Sequence, residues 1–330
     1  LVVCQSLAAD DSSSVATSIA REVQQVFMSA RPAVCQIRAV DKHGALHGSG
    51  FFIDPTGTVV TSYSVGGDSN DITVEVGDNK FAASRVLADT RSGLVLLKVD
   101  TEKTPFLPLA DAGQLDLASP VVAVGYAMDL DVAPTFGTVS GFDSKYLGRY
   151  LPVTHIRASL PVARGQAGSP VLNMDGEVVG MLVSGIDGGV ACHILPVEAI
   201  EKVASDYARY GSVRRGWVGV TVEPLIPGYA DSSAVVCDID KRAPAFDSGI
   251  REGDILMRIG EHPIESAEDV LHASFFLTPG QKIELVVSRG GERVVLPSSV
   301  GDHPASPKLH AQSALDLLEG GEGQTLELGN

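Results

Sequence analysis

Acid–base, nucleophilic and metal chemistry all need a few side-chain types at particular spacings, and this chain offers few such arrangements. Its eight histidines are His43, His47, His155, His193, His262, His272, His303 and His310. They show no HExxH or H-x-H spacing, the patterns that turn two imidazoles toward one metal. Its four cysteines, Cys4, Cys35, Cys192 and Cys237, form no CxxC pair and no Cys/His cluster with ligand spacing. Cys35 and Cys192 each lie in a short apolar run, which predicts buried free thiols. No metal or cofactor is therefore expected. The net charge of −16 would repel a phosphate backbone and argues against nucleic acid as a partner.

Any site must be positioned by the elements around it. A chain of 330 residues predicts two domains. Apolar residues at 44%, charged residues at 20%, 35 glycines and 18 prolines suit globular cores joined by many turns. Residues 12–30 carry Val15, Ile19, Val23, Val26 and Phe27 on one helical face, with a serine N-cap upstream and Pro32 at the end. From Ala33 to about Val197, short β-branched runs alternate with Gly, Asp, Ser and Pro turns, which predicts an all-β sandwich or barrel. A helix is expected over about 196–209 and a linker over 210–215. A second unit starts at Gly216, with strands in GWVGVTVEPL, AVVCDI, DILMRIG, KIELVVSR and ERVVLP. Its helix is ESAEDVLHASFF, opened by Ser266 with Asp269 three residues on and closed by Pro279-Gly280.

The ends read differently. Residues 1–9, LVVCQSLAA, resemble the end of a signal peptide with an A-x-A-like cleavage site, which predicts export to a periplasm or the exterior. Val3 is too bulky for the residue before a lipidated cysteine. No run of 18 apolar residues is present, so no membrane-spanning helix is expected. Residues 301–330 hold no aromatic and five acids against Lys308, a composition that predicts a disordered acidic tail.

Three segments carry a family resemblance. GSGFFIDPTGTVVTSYSV (48–65), DTRSGLVLLKV (89–99) and RGQAGSPVLNMDGEVVGM (164–181) are similar, in order and spacing, to the three motifs of HtrA/Do-type proteases of the trypsin fold. The resemblance covers roughly residues 20–300 and implies two six-stranded β-barrels. It places the histidine base at Ser64, the orienting aspartate at Gly93 and the serine nucleophile at Ala167. The separations are 29 and 74 residues, and the flanks match so closely that a one-residue slip restores no triad member. Acyl transfer on this fold needs a hydroxyl, an imidazole and a carboxylate; these positions supply none of that set in its place. The expectation is a pseudoprotease rather than an enzyme. The turn Gly165-Gln166-Ala167 keeps the small residues of an oxyanion hole built from the amides of Gly165 and Ala167. Ser169, two residues past the nucleophile position, is expected to point away from a bound carbonyl, even with His155 or His193 near the cleft.

The second unit resembles a PDZ domain, an α+β fold. Trp217-Val218-Gly219-Val220 matches the carboxylate-binding loop, and residues 240–250 and 251–256 match the turn and strand that follow it. Such a domain binds a chain end as an added strand, and Val218, Val220, Val270 and Phe275 are expected to line an apolar pocket. The implied organisation is a signal-peptide remnant (1–9), a trypsin-like domain (10–212), a PDZ domain (213–300) and the tail (301–330). The expected partners are unfolded polypeptides or protein C-termini, held by a chaperone, adaptor or regulator. Family members commonly form trimers through the N-terminal segment, so a homo-oligomer is expected. A structural scaffold with unused clefts and an endopeptidase with an unconventional nucleophile are the alternatives.

Overall fold

Most positions of the runs 34–41 and 94–99 are buried, and the residues of one strand face, two apart, build the core of the first barrel. Cys35, Ile37 and Ala39, Ile72 and Val74, and Val95, Leu97 and Val99 all enter one buried cluster. The computed structural model describes residues 10–101, 103–111, 113, 115–128, 130–147, 149–226, 233–302 and 326–327. The segment expected to be a signal-peptide remnant, 1–9, and most of the expected acidic tail, 301–330, lie outside these residues.

Helix α1 (Asp10–Ala30) comes first and passes into a 3₁₀ turn containing Pro32. Its expected apolar face is used unevenly: Val26 is buried, whereas Val15 and Ile19 are exposed. The first barrel follows, with β1 (Val34–Asp41), β2 (Gly44–Phe52), β3 (Thr58–Ser62), a short helix α2 (Tyr63–Gly66), β4 (Asp71–Val76), β5 (Asn79–Asp89) and β6 (Leu94–Val99). These strands close in the order β1-β2-β3-β6-β5-β4. The second barrel holds β7 (Pro120–Gly125), β8 (Ala133–Tyr146), β9 (Arg149–Ala158), β10 (Pro170–Leu172), β11 (Val178–Ile186) and β12 (Ala191–Pro196). It closes in the order β10-β11-β12-β9-β8-β7. Each barrel thus has the six strands expected. Cys35 and Cys192 are buried free thiols, and burial raises both, Cys192 to about 12.

Helix α3 (Val197–Tyr210) leads to the last set of elements. These are β13 (Gly216–Trp217), β14 (Val220–Pro224), β15 (Ala234–Ile239), α4 (Pro244–Ser248), β16 (Ile255–Ile259), β17 (His262–Pro263), α5 (Ala267–Phe276), β18 (Lys282–Arg289), β19 (Glu292–Ser299), β20 (Gly301–Asp302) and β21 (Leu326–Glu327). The main sheet runs β19-β18-β16-β15-β14-β21, with β17 on β16; β13 and β20 form a separate pair. Helix α5 starts as the sequence predicts, with the Asp269 carboxylate accepting the Ser266 amide at 2.8 Å. The expected linker over 210–215 is stitched down. Lys202 bonds to Asp206, Thr278 and the Arg214 carbonyl, and Asp206 accepts the Arg214 amide at 2.8 Å.

Two compact units result. Among the described residues, one holds those up to Ala88 with 93–141 and 157–197; the other holds Asp89–Ser92, Phe142–Ile156 and those from Glu198 on. Two short pieces of the barrel sequence therefore cluster with the C-terminal elements.

Candidate functional site

In the first unit, the three positions matched to the protease triad lie on segments held against one another. Ser62 ends β3 and caps α2: its Oγ is 3.4 Å from the Ser64 amide and 2.9 Å from the Ser64 hydroxyl. Ser64 is exposed. The Tyr63 amide donates to the Gly93 carbonyl at 2.7 Å, which fastens the start of α2 to the loop before β6. Gly93 has φ +72°, and a Cβ there would meet nothing within 4 Å. Ala167 packs against the core of the first barrel. Its neighbour Gly168, at φ +89°, is so close to the Ser49 carbonyl that a Cβ would collide with it, and the Ser62 amide is 3.0 Å from the same point.

The turn that carries Ala167 is fixed by Ser49, a buried residue whose role the sequence reading missed. Its amide donates to the Ala167 carbonyl at 2.9 Å. Its Oγ donates to the Gly165 carbonyl at 3.0 Å and accepts the Tyr126 amide at 2.9 Å. The buried Gln166 side chain closes the turn from inside, its Oε1 accepting the Ala163 amide at 2.7 Å. The Gln166 amide bonds back to the Ala163 carbonyl. The amides of Gly165 and Ala167 reach no protein acceptor among the described residues. These are the two donors expected to face an oxyanion, and they remain available for one.

Ser169 points elsewhere. It is fully buried, its Oγ finds no hydrogen-bond partner among the described residues, and it lies against Gly125 at the end of β7. A hydroxyl there cannot reach a substrate from solvent. His155 and His193 are buried on β9 and β12, the former with Nδ1 2.8 Å from the Val153 carbonyl. Among the described residues no group of three or more His, Cys, Asp and Glu side chains could hold a metal ion.

The second unit carries the carboxylate-type loop between β13 and β14. The Val218 and Gly219 carbonyls accept the amides of Ala245 and Asp240, at 3.2 and 3.0 Å. Their own amides meet no protein acceptor among the described residues. Gly219 has φ +79°, and a Cβ would run into the Ala243 methyl, with the Trp217 ring 2.9 Å away. Glycine is thus needed here for packing. Val218, Val220 and Val270 join one apolar cluster with Ala267, Ala273 and Leu277. Phe275 does not join them. Five residues on from Val270, it lies on another face of α5, edge-on to Phe276 and beneath the Arg91 guanidinium at 5.7 Å. Phe275 is thus set apart from Val218, Val220 and Val270. Beside it, His272 meets the His262 ring edge-on and the Phe276 ring at a tilt, and its Nδ1 accepts the Thr154 amide at 3.1 Å. Burial and the neighbouring His262 push His272 down to about 4, against a smaller upward pull from Asp269.

This architecture is that of a trypsin-like domain followed by a PDZ domain. Residues 48–181 match the Trypsin-like peptidase domain family and residues 216–297 the PDZ domain family. A "Probable periplasmic serine endoprotease DegP-like" of Halomonas elongata is 32% identical over 281 residues, 82% of this chain and 59% of the relative. A protein of the same description from Chlamydia trachomatis is 28% identical over 279 residues, 81% of this chain and 56% of the relative. Among solved structures, the HtrA-type protease AlgW with tripeptide aligns at a TM-score of 0.72 and 23% identity, over 87% of this chain and 99% of that one. The serine endoprotease from Yersinia pestis aligns at 0.63 and 22% identity, over 85% and 97%. The chain belongs to the HtrA/DegP-like family. It spans 59% of the first of these curated relatives.

Proposed function

We propose that this protein is an HtrA-like pseudoprotease that binds polypeptide without cutting it. The observation that carries the reading is the content of three positions: Ser64, Gly93 and Ala167 stand where the family's base, orienting acid and nucleophile belong. Ala167 has no nucleophilic atom, Ser64 no group that titrates near neutral pH, and Gly93 no side chain. Loss of such a unit costs on the order of 10⁶-fold in turnover, and an oxyanion hole with substrate binding alone leaves about 10³–10⁴-fold over water. That remainder is negligible for amide hydrolysis. The burial of Ser169 speaks against a substitute nucleophile.

What the fold retains is suited to holding peptide. The free amides of Gly165 and Ala167 can donate to a carbonyl oxygen, and those of Val218 and Gly219 to a terminal carboxylate. The AlgW structures carry a tripeptide or a decapeptide, which supports peptide occupancy for this architecture. The ligands are unfolded polypeptides or protein C-termini, and the role is that of chaperone, adaptor or regulator. The relatives' description as periplasmic supports export. A homo-oligomer, a trimer by family resemblance, would use the exposed Val15 and Ile19 of α1, since Val26 is already spent within the chain.

The test is fluorescence anisotropy with a labelled hexapeptide ending in a free Val, beside its C-terminal amide, followed by mass spectrometry of the recovered peptide. Charge-assisted hydrogen bonds are worth roughly 1.5–3 kcal/mol, so the amide should bind about tenfold or more weakly. The peptide should be recovered intact. Equal binding of acid and amide, or cleaved peptide, would overturn the reading.

A further inference from the structure

The strand-addition edge of the PDZ domain is already occupied by this chain. β14 is bonded on one side to β15 and on the other to β21, the two residues Leu326–Glu327. The pairing is antiparallel, with Thr221 opposite Glu327 and Val222 opposite Leu326. Without β21, β14 would present a row of unpaired amides and carbonyls beside α5. From Leu326 to Glu327 the backbone runs toward the Trp217–Val220 end of β14, the direction in which a bound peptide presents its C-terminus to that loop.

We infer that the segment around Leu326–Glu327 is a cis-acting occupant of the PDZ groove and competes with peptide ligands for it. This deepens the peptide-binding reading proposed above and rests on it. Two further observations agree. The sequence Thr325-Leu326-Glu327-Leu328 alternates polar and apolar residues, the pattern of a half-buried strand. The chain leaves the domain at β20, which pairs with β13 immediately before the carboxylate-type loop. The 23 residues between Asp302 and Leu326 can reach up to about 80 Å when extended, far more than a return to β14 needs. A tether of this kind sets an effective concentration on the order of 1 mM. If segment and free peptide each bind with a dissociation constant of about 10 μM, the segment holds the groove about 99% of the time. The free peptide then binds roughly a hundredfold more weakly than to an open groove.

The experiment uses the full chain and the double variant Leu326→Pro/Glu327→Pro. Proline removes ladder donors and disfavours this strand whatever the side chains do. The probes are a fluorescein-labelled peptide of residues 321–330 and the labelled free-acid hexapeptide, read by anisotropy at several protein concentrations. Hydrogen exchange of the β14 amides is measured in parallel. The expected result is at least tenfold tighter binding of both probes to the double variant. β14 amides should be protected in the unaltered chain, independently of protein concentration, and exchange faster in the variant. Equal binding to both proteins overturns cis occupancy and leaves the peptide-binding reading standing. Protection that rises with protein concentration also overturns it, in favour of a second copy's segment. If neither protein binds the free-acid hexapeptide, the peptide-ligand reading falls, and β14 exchange alone decides cis occupancy: equal protection in both proteins overturns it.

Discussion

Replacing Ser49 by alanine removes one oxygen and should loosen the whole oxyanion-type turn. In the folded protein that oxygen donates to the Gly165 carbonyl at 3.0 Å and accepts the Tyr126 amide at 2.9 Å. Ser49 is 0% exposed, so its loss leaves two backbone groups without the partner that reaches them. A stranded buried polar group costs about 1–3 kcal/mol. Gly165 and Tyr126 are only half-buried, and water can relieve part of the loss. The expected destabilisation is therefore about 2–3 kcal/mol, or roughly 4–12 °C in Tm for a unit of this size. Circular dichroism melts measure it. Trp217, the one tryptophan, lies in the other unit, so its fluorescence reports separately on the PDZ elements. Hydrogen exchange should quicken across residues 163–169, while β1 remains protected. A shift below about 1 °C with unchanged exchange at 163–169 would refute the role assigned to Ser49.

The remaining expectations concern both units. Gly219→Ala should destabilise the PDZ unit by about 2–4 kcal/mol, because the added methyl meets Ala243 at a left-handed φ of +79°; Trp217 fluorescence in urea measures this, and a near-neutral effect would contradict the packing. His272 sits at about 4 when folded, below its unfolded value of about 6.5. The unfolded chain then binds more protons between those values, so stability is full above about pH 6.5 and falls as pH drops toward 4, by about 3 kcal/mol in all. His272→Leu should flatten that window in urea titrations followed at Trp217; an unchanged slope would count against it. Restoring the triad with Ser64→His, Gly93→Asp and Ala167→Ser should recover little casein cleavage, because aspartate at position 93 must adopt φ +72°, a strain of about 1–2 kcal/mol, and misplacement by about 1 Å costs around 10²-fold. Robust cleavage by that variant would show a cleft kept in working geometry.

Local patterns explain why so much of the fold was legible. The short β-branched runs AVCQIRAV and LVLLKV announce strands, and the Ser266/Asp269 spacing announces α5. What escaped depends on distant partners. Ser49 gains its role from Gly165 and Tyr126, 116 and 77 residues away, which no local signal reveals. The 210–215 run has the composition of a linker, yet Lys202 and Asp206 tie Arg214 down. The separation of Phe275 from Val270 was readable, since five residues along a helix turn a side chain to another face. Composition likewise marks residues 301–330 as a tail, but the open edge of β14 recruits Leu326–Glu327, because a sheet edge supplies the hydrogen bonds that local sequence cannot.

The most direct measurement is labelling of the purified protein with a fluorophosphonate probe, read by intact mass, alongside incubation with unfolded casein. The probe reports an activated serine without requiring a matched substrate. With Ala167 at the nucleophile position and Ser169 buried, the expected result is an unmodified mass and uncut casein. Stoichiometric labelling of any serine, or casein cleavage that persists through repeated purification, would contradict the proposal that this chain binds polypeptide without hydrolysing it.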